Sequence, residues 1–299
     1  MEKKINRRKY NQEEILWGAI LIAPTLMGLI ILNIKPAIET LILSFQESSG
    51  FGKTVWAGLK NYKKLIGDPE VTQAVINTLV YTLIAVPFII VLSLVAAVLM
   101  NQKVKGISFY RTLYFLPVVA TPAAVAMVWR WLYNSDYGII NYLFSLVGLK
   151  GASWLTNPHT SILAIAIVGI WSTVGYNMVL LLSGLQEIPK DYYESAEIDG
   201  AGAIKQFFSI TLPLVSPTLF FVMVTTIINS LQVFDLIFMM IDKTNAALPK
   251  TQSLVYLFYK QSFIMNDKGY GSAIVMVLLV IIMLITVLQV KVQKKWVNY

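Results

Sequence analysis

Long apolar runs constrain this chain more than any other feature of its sequence. Six segments carry few charges and approach the length of about 20 residues that crosses a bilayer core as an α-helix. They are residues 15–34, 75–100, 113–133, 162–182, 214–240 and 273–290. Because 57% of the residues are hydrophobic, one water-soluble core could not bury them. The sequence therefore predicts an all-α polytopic membrane protein with six transmembrane helices in a single domain, 1–299.

Prolines occur in or beside several of these segments, namely Pro24, Pro87, Pro117, Pro122 and Pro217. Neighbouring helices and polar side chains satisfy the backbone groups that a proline frees inside a helix bundle. We therefore expect kinks rather than breaks. The first segment is also longer than the apolar part of a signal peptide, so we expect a retained first helix.

Basic residues predict the orientation. An even number of spans places both termini on one side, and lysine and arginine in short flanking segments mark the cytoplasmic side. Such residues cluster in the tails and in one short loop, as Lys3, Lys4, Arg7, Arg8, Lys9, Lys103, Lys105, Arg111, Lys291, Lys294 and Lys295. We therefore expect cytoplasmic termini, with the loop 186–211 on the same side. This placement also explains the net charge of +8 without a nucleic acid partner.

The loop 186–211 is a polar interruption between two apolar segments. Asp191 after a proline, with Glu194 three residues later, is typical of an N-cap and a loose capping box. Gly200 and Gly202 are typical of a helix end, since glycine adopts the left-handed conformation. The pattern predicts a short helix over 192–199 and a second helical stretch over 204–210. A short helix on the membrane surface would present apolar and acidic side chains to another protein.

The same loop carries a motif. It contains a Glu, two small residues, a Gly six positions after the Glu, and then Ile-x-Leu-Pro; these are Glu194, Ser195, Ala196, Gly200, Ile210, Leu212 and Pro213. This set resembles the EAA loop of binding-protein-dependent ABC importer permeases, with serine where that family usually has its first alanine. Helix capping would explain Glu194 or Gly200 alone, but the complete set at this spacing favours an ATPase-docking loop.

The resemblance covers nearly the whole chain. Residues 109–133, 138–141 and 269–273 look like the sugar-permease branch, similar to maltose-, multiple-sugar- and glycerol-phosphate-type permeases. The resemblance implies the type I ABC importer fold in a bacterial inner or plasma membrane. It also implies a second homologous permease, two ATP-binding subunits and an extracytoplasmic solute-binding protein. ATP and magnesium would belong to the ATPase subunits, so we expect neither a cofactor nor a metal in this chain.

Polar residues within the spans indicate a path for a sugar. Thr225, Asn229 and Gln232 follow i, i+4, i+7 spacing, which places them on one face of a helix. Hydroxyls, amides and aromatic rings suit the hydroxyls and the apolar ring faces of a sugar. The resemblance to maltose-type permeases implies that the cavity is lined by Thr173, Tyr176, Thr225, Asn229 and Gln232. For each of them the alternative is an interhelical hydrogen bond of about 0.6 kcal/mol. Asp235 could instead be a structural partner for Arg130 or for a neighbouring subunit.

Other activities find little support. Gly52-Lys53-Thr54 lacks the upstream glycine of a phosphate-binding loop, and the lone His159 has no catalytic neighbours. The absence of cysteine excludes thiol chemistry and disulfides. The main alternative is a secondary transporter or channel for a small polar solute. That class often shows internal repeats, broken helices or buried acid–base relays, none of which the sequence predicts. An intramembrane enzyme would need a catalytic set that the sequence lacks.

Overall fold

A computed structural model describes residues 12–48, 54–102 and 105–297. The predictions that concern residues 3–9, Gly52, Lys53 and Lys103 lie outside these ranges. The helices are α1 (Gln12–Leu29), α2 (Lys35–Ser44), α3 (Lys60–Gly67), α4 (Pro69–Met100), α5 (Ile107–Val119), α6 (Pro122–Leu132), α7 (Ile139–Leu146), α8 (Ser161–Gln186), α9 (Lys190–Ile198), α10 (Ala203–Gln206), α11 (Leu212–Leu214), α12 (Ser216–Leu231), α13 (Asp235–Met240), α14 (Leu254–Tyr259) and α15 (Lys268–Gln293).

Short connecting elements complete the fold. Turns of π-helix occupy Ile30–Ile34, Phe207–Thr211 and Lys260–Ile264, and a 3₁₀ turn occupies Leu248–Lys250. Strands β1 (Gln46–Ser48) and β2 (Thr54–Trp56) form an antiparallel hairpin in which Glu47 faces Val55. The structure therefore confirms the predicted all-α class, with this one small hairpin added.

The described chain agrees with the predicted number of spans. Four of its helices are long and apolar enough to cross a membrane: Leu16–Ser44, Pro69–Met100, Ser161–Gln186 and Lys268–Gln293. Two bent helix pairs raise the number to six if each pair forms one span. The first helix extends beyond its predicted end at residue 34, because the π turn Ile30–Ile34 joins α1 to α2 without a break.

The predicted third span, 113–133, is broken. Its two parts, α5 and α6, meet at an angle of 99°. Thr121 stands between them in the extended conformation that a following proline imposes, and its hydroxyl accepts a 3.4 Å hydrogen bond from the amide of Ala124. The prediction of kinks rather than breaks is therefore wrong at Pro122, and also at Pro217, which lies in the first turn after a 69° bend. Pro24, Pro87 and Pro117 do lie inside helices.

The predicted fifth span, 214–240, is also not one helix. The helical stretch Ala203–Leu214 meets Ser216–Leu231 at 69°, and the chain leaves the helix again between Leu231 and Asp235. The buried Ser253 hydroxyl donates a 2.6 Å hydrogen bond to the carbonyl of Val233, which satisfies one backbone group within this second break. Breaks of the kind expected for the alternative class of transporter are therefore present.

Helix α8 lies at the centre of the packing. It contacts α4 along buried alanines, including Ala85 and Ala164, and the Ser93 hydroxyl of α4 donates to the carbonyl of Val174 at 3.2 Å. Asn177 donates a 2.8 Å hydrogen bond to the Thr226 hydroxyl and so joins α8 to α12. Small residues and interhelical hydrogen bonds are typical of helix packing in membranes, where no hydrophobic effect drives the helices together.

The connecting loops gather at two opposite ends of the bundle. At one end, Asn245 donates to the carbonyl of Leu155 at 3.1 Å, and Tyr270 donates to the Asp68 carboxylate at 2.6 Å. These bonds join the loops that the sequence places outside. Helix α7 lies in one of these loops and is preceded by a turn. Its Asn141 accepts a 2.8 Å hydrogen bond from the Trp154 indole.

A methyl group at Gly175 is expected to disturb the contact between α8 and α5. A Cβ atom there would collide with the backbone carbonyl oxygen of Tyr114, which cannot rotate away. We expect Gly175→Ala to lower stability by about 1–3 kcal/mol, the usual effect of overpacking. Gly28→Ala is the matched control, since no atom lies within 4 Å of a Cβ there. Thermal unfolding of the purified protein measures both, and equal midpoints would contradict the close approach.

Candidate functional site

A cleft of about 410 Å³, lined by both polar and apolar side chains, lies between α4, the break separating α5 from α6, helix α8 and the end of α12. Its polar lining residues are Tyr81, Ser172, Thr173, Thr226, Asn229, Ser230, Gln232 and Asp235. Hydroxyl and amide groups predominate among them. The cleft can therefore donate and accept hydrogen bonds at several points around a small polar molecule.

Both helix breaks line this cleft. Pro117, Ala120 and Pro122 stand on one side, and residues 232–236 stand on the other. Irregular backbone at membrane depth is tolerated where it lines a polar cavity, because water or a ligand can satisfy the groups that helices would otherwise pair. The breaks therefore add backbone carbonyls and amides to the polar surface.

The structure brings together three of the five predicted substrate residues. Thr173, Asn229 and Gln232 line the cleft, whereas Tyr176 and Thr225 are not among its lining residues. The Thr225 hydroxyl donates to the carbonyl of Phe221 on its own helix, at 3.0 Å. A role of these five residues in binding substrate stays a prediction.

Gln232 lies at the end of the predicted helical face. Helix α12 ends at Leu231 and Gln232 is its C-cap, whose amide donates to the carbonyl of Asn229 at 3.2 Å, and both residues line the cleft. Residue i+7 shares the face of residue i only as far as the helix continues. Thr226, one residue beyond the predicted Thr225, faces the cleft instead and accepts the hydrogen bond from Asn177.

Five polar lining residues were not among the predicted substrate residues: Tyr81, Ser172, Thr226, Ser230 and Asp235. Tyr81 is only 5% exposed and belongs to α4, which the sequence predicted only as a membrane span. The buried Thr78 and Thr82 on the same helix were the available signal. Asp235 was instead considered as a partner of Arg130. That pairing is wrong: Arg130 lies 2.8 Å from the Asp242 carboxylate, and Asp235 lines the cleft. The intramembrane position of Asp235 was the available signal, since ionisable residues within spans mark functional sites.

The predicted docking loop forms two helices with a tight turn between them. Helix α9 is followed by Gly200, whose φ is 73°. The amide of Gly200 donates to the carbonyl of Glu197 at 3.0 Å, and the amide of Ala201 donates to the carbonyl of Ala196 at 2.8 Å. This pair of bonds is a Schellman motif, which satisfies the last carbonyls of the helix. The predicted helix stop at Gly200 is confirmed.

The predicted start of the helix is wrong by two positions. Helix α9 begins at Lys190, directly after the extended Pro189, and Asp191 lies within the first turn. No side chain makes a capping hydrogen bond there, so Glu194 does not complete a capping box. Asp191 still lies near the positive end of the helix dipole, where a carboxylate is favourable.

The second helical part is longer than predicted. It runs from Ala203 to Leu214, so it contains Ile210, Leu212 and Pro213 and reaches the bend before α12. The hydroxyls of Tyr193 and Thr211 lie 3.0 Å apart, which ties α9 to this second part. Ile188 and Tyr193 also pack in the cluster that contains Met178 and Val222. The loop is therefore attached to the bundle beneath it.

The loop also carries three large apolar side chains that are exposed. Ile198 is 87% exposed, Ile204 is 77% exposed and Phe208 is 62% exposed. Glu194 and Glu197 of the same loop are exposed as well. We call Ile198, Ile204, Phe208, Glu194 and Glu197 the docking face. Exposed apolar residues together with charged ones are typical of a protein interaction site.

Residues 65–298 match the family of binding-protein-dependent transport system inner membrane components. The chain belongs to this family. It is therefore a membrane component of a transport system. The family agrees with the prediction that the chain is a transport subunit and not an enzyme. The predicted ABC importer permease family is confirmed.

Curated relatives match this chain over nearly all of its length. A probable ABC transporter permease, YesP of Bacillus subtilis, is 33% identical over 100% of this chain and 96% of its own length. The trehalose/maltose transport system permease MalF of Thermococcus litoralis is 30% identical and covers 96% of each chain. A chain of a bacterial ABC transporter for import of the acidic polysaccharide alginate has the same fold, with a TM-score of 0.84 at 21% identity over 96% of this chain and 97% of that chain.

A bulky residue at Gly200 is expected to loosen the docking loop. An L-residue in the left-handed conformation costs about 1–2 kcal/mol. We therefore expect Gly200→Glu to increase amide hydrogen exchange across α9. Gly202→Glu is the matched control, because Gly202 has a φ of −69° and both glycines have open space at Cβ. Equal exchange in the two variants would contradict the role of the Schellman turn.

Proposed function

We propose that this chain is the membrane-spanning permease subunit of an ATP-driven, binding-protein-dependent carbohydrate importer. It would form half of the translocation pathway and couple that pathway to cytoplasmic ATPases. The observation that supports this proposal is that the docking loop and the cleft are joined by a continuous stretch of chain. The docking loop runs through Ala203–Leu214 directly into α12, the helix that carries Asn229 at the cleft.

Carbohydrate is the proposed substrate for two reasons. The cleft offers hydroxyls and amides, which suit the many hydroxyls of a sugar. Relatives that are 30% identical are named for transport of trehalose and maltose or of arabinooligosaccharides. Thr173, Asn229 and Gln232 are the predicted substrate residues that lie where they could touch such a molecule.

The partners follow from the same proposal. A second, homologous permease would supply the other half of the pathway, and two ATPase subunits would hold ATP and magnesium and bind the docking face. An extracytoplasmic solute-binding protein would deliver the sugar to the opposite end of the bundle. Both termini and the docking loop would then face the cytoplasm of the cell.

The family membership decides against the alternative of a self-sufficient secondary transporter or channel. The helix breaks at the cleft are typical of that class as well. However, the docking face has no evident use in a transporter that works without a partner. An exposed apolar surface of this kind is explained when an ATPase covers it.

Replacement of Ile198 by glutamate should detach the ATPases. A buried charge in an apolar contact is costly, so we expect Ile198→Glu to reduce co-purification of the ATPase subunits at least roughly tenfold. Ile66→Glu is the matched control, since Ile66 is 86% exposed on α3 at the opposite end of the bundle. Affinity purification of the whole importer measures both. Full retention of ATPases by Ile198→Glu would overturn the docking role.

Removal of the Asn229 amide should weaken transport without detaching the ATPases. Loss of one hydrogen bond to a sugar is worth about 0.5–1.5 kcal/mol, so we expect Asn229→Ala to change the KM or kcat of uptake about two- to tenfold. Ser183→Ala is the control, because its exposed hydroxyl bonds only the carbonyl of Leu180 on its own helix. Unchanged uptake kinetics and ATPase stimulation in Asn229→Ala would limit Asn229 to packing.

A further inference from the structure

The charge of the cleft is carried by one residue. Of the described residues that line it, only Asp235 has a formally charged side chain. The other polar groups, such as those of Tyr81, Thr173 and Asn229, are hydroxyls and amides. Asp235 occupies the first position of the short helix α13, immediately after the break that follows α12.

No cation neutralises this carboxylate within the described part of the chain. Arg130 approaches from α6, but its guanidinium is engaged by Asp242 at 2.8 Å and by the carbonyl of Met239 at 3.3 Å. The ion pairs of the described residues do not include Asp235. Within the described residues of this chain, Asp235 is therefore a carboxylate at the cleft without an ion-pair partner.

The carboxylate of Asp235 can act on a molecule in the cleft because it is exposed there. A carboxylate accepts short, strong hydrogen bonds from sugar hydroxyls. The same carboxylate repels a carboxylated or phosphorylated sugar.

We propose that Asp235 is a specificity-determining residue that makes this pathway favour uncharged saccharides over anionic ones. The proposal rests on the proposed function of the cleft as the path of a sugar. The fold does not settle this preference, because the similar alginate importer carries an acidic polysaccharide. The local charge at position 235 then decides which sugars pass.

Charged thiol reagents can measure the potential of the cleft directly. The chain contains no cysteine, so Asn229→Cys introduces the only reactive thiol of this subunit, at an exposed position of the cleft. The variant is reconstituted as the whole importer in proteoliposomes. Rates are measured with the cationic trimethylammonioethyl and the anionic sulfonatoethyl methanethiosulfonate. Each rate is divided by the rate for a free thiol in solution.

The cationic reagent is expected to react faster, roughly tenfold or more after this correction. Adding Asp235→Asn should remove most of that preference. Adding Asp136→Asn is the matched control, because Asp136 is an exposed acid in the loop before α7 and does not line the cleft. A ratio near one in Asn229→Cys, or a ratio that Asp235→Asn leaves unchanged, would overturn the proposal.

Uptake by the wild-type importer with its binding protein supplies the functional measurement. Neutral di- and trisaccharides are compared with the corresponding uronates, and only the neutral sugars are expected to accumulate. Accumulation of a uronate at a similar rate would overturn the charge selectivity while leaving the importer function intact. Import of no sugar at all would overturn the proposed function itself and the selectivity that rests on it.

Discussion

In hydrocarbon, every backbone amide and carbonyl needs a partner within the protein, and this constraint organises the bundle. It explains why α4, α8 and α15 are long and continuous. It also explains where the chain departs from a helix. The two breaks that line the cleft lie among polar side chains, and the hydroxyls of Thr121 and Ser253 take up backbone groups near them. The irregular segments lose helical backbone hydrogen bonds, and the same segments line the cleft.

Close packing around α8 sets the position of that cleft. Gly175 allows the backbone of α5 to approach α8, and Asn177 bonds Thr226 across to α12. Helix α12 in turn continues from the docking loop through a bend of 69° at the buried Val215. A displacement of α9 would therefore act on the base of the helix that lines the cleft, which is the mechanical connection that an ATP-driven importer requires.

Much of the fold and part of the site could be predicted because they depend on local pattern. Hydropathy identified the apolar segments, and glycine chemistry identified the turn at Gly200. The sequence predictions failed where one structural element meets another. Pro122 was expected to kink a helix, but it begins a new one at 99° to its predecessor. Asp235 was considered as a partner of Arg130, but Asp242 takes that position.

The sequence by itself determined the class of protein, the all-α architecture and the helix end at Gly200, since apolar length, motif spacing and glycine are properties of contiguous residues. Only the tertiary structure decided which polar side chains share the cleft. Tyr81, Thr173 and Asp235 are far apart in the chain and meet through helix packing and two breaks. Helical spacing alone placed Thr225, Asn229 and Gln232 on one face. It could not show that α12 ends at Leu231. The docking loop and the cleft are thus predictable to different degrees: one follows from local conformation, the other from contacts between distant segments.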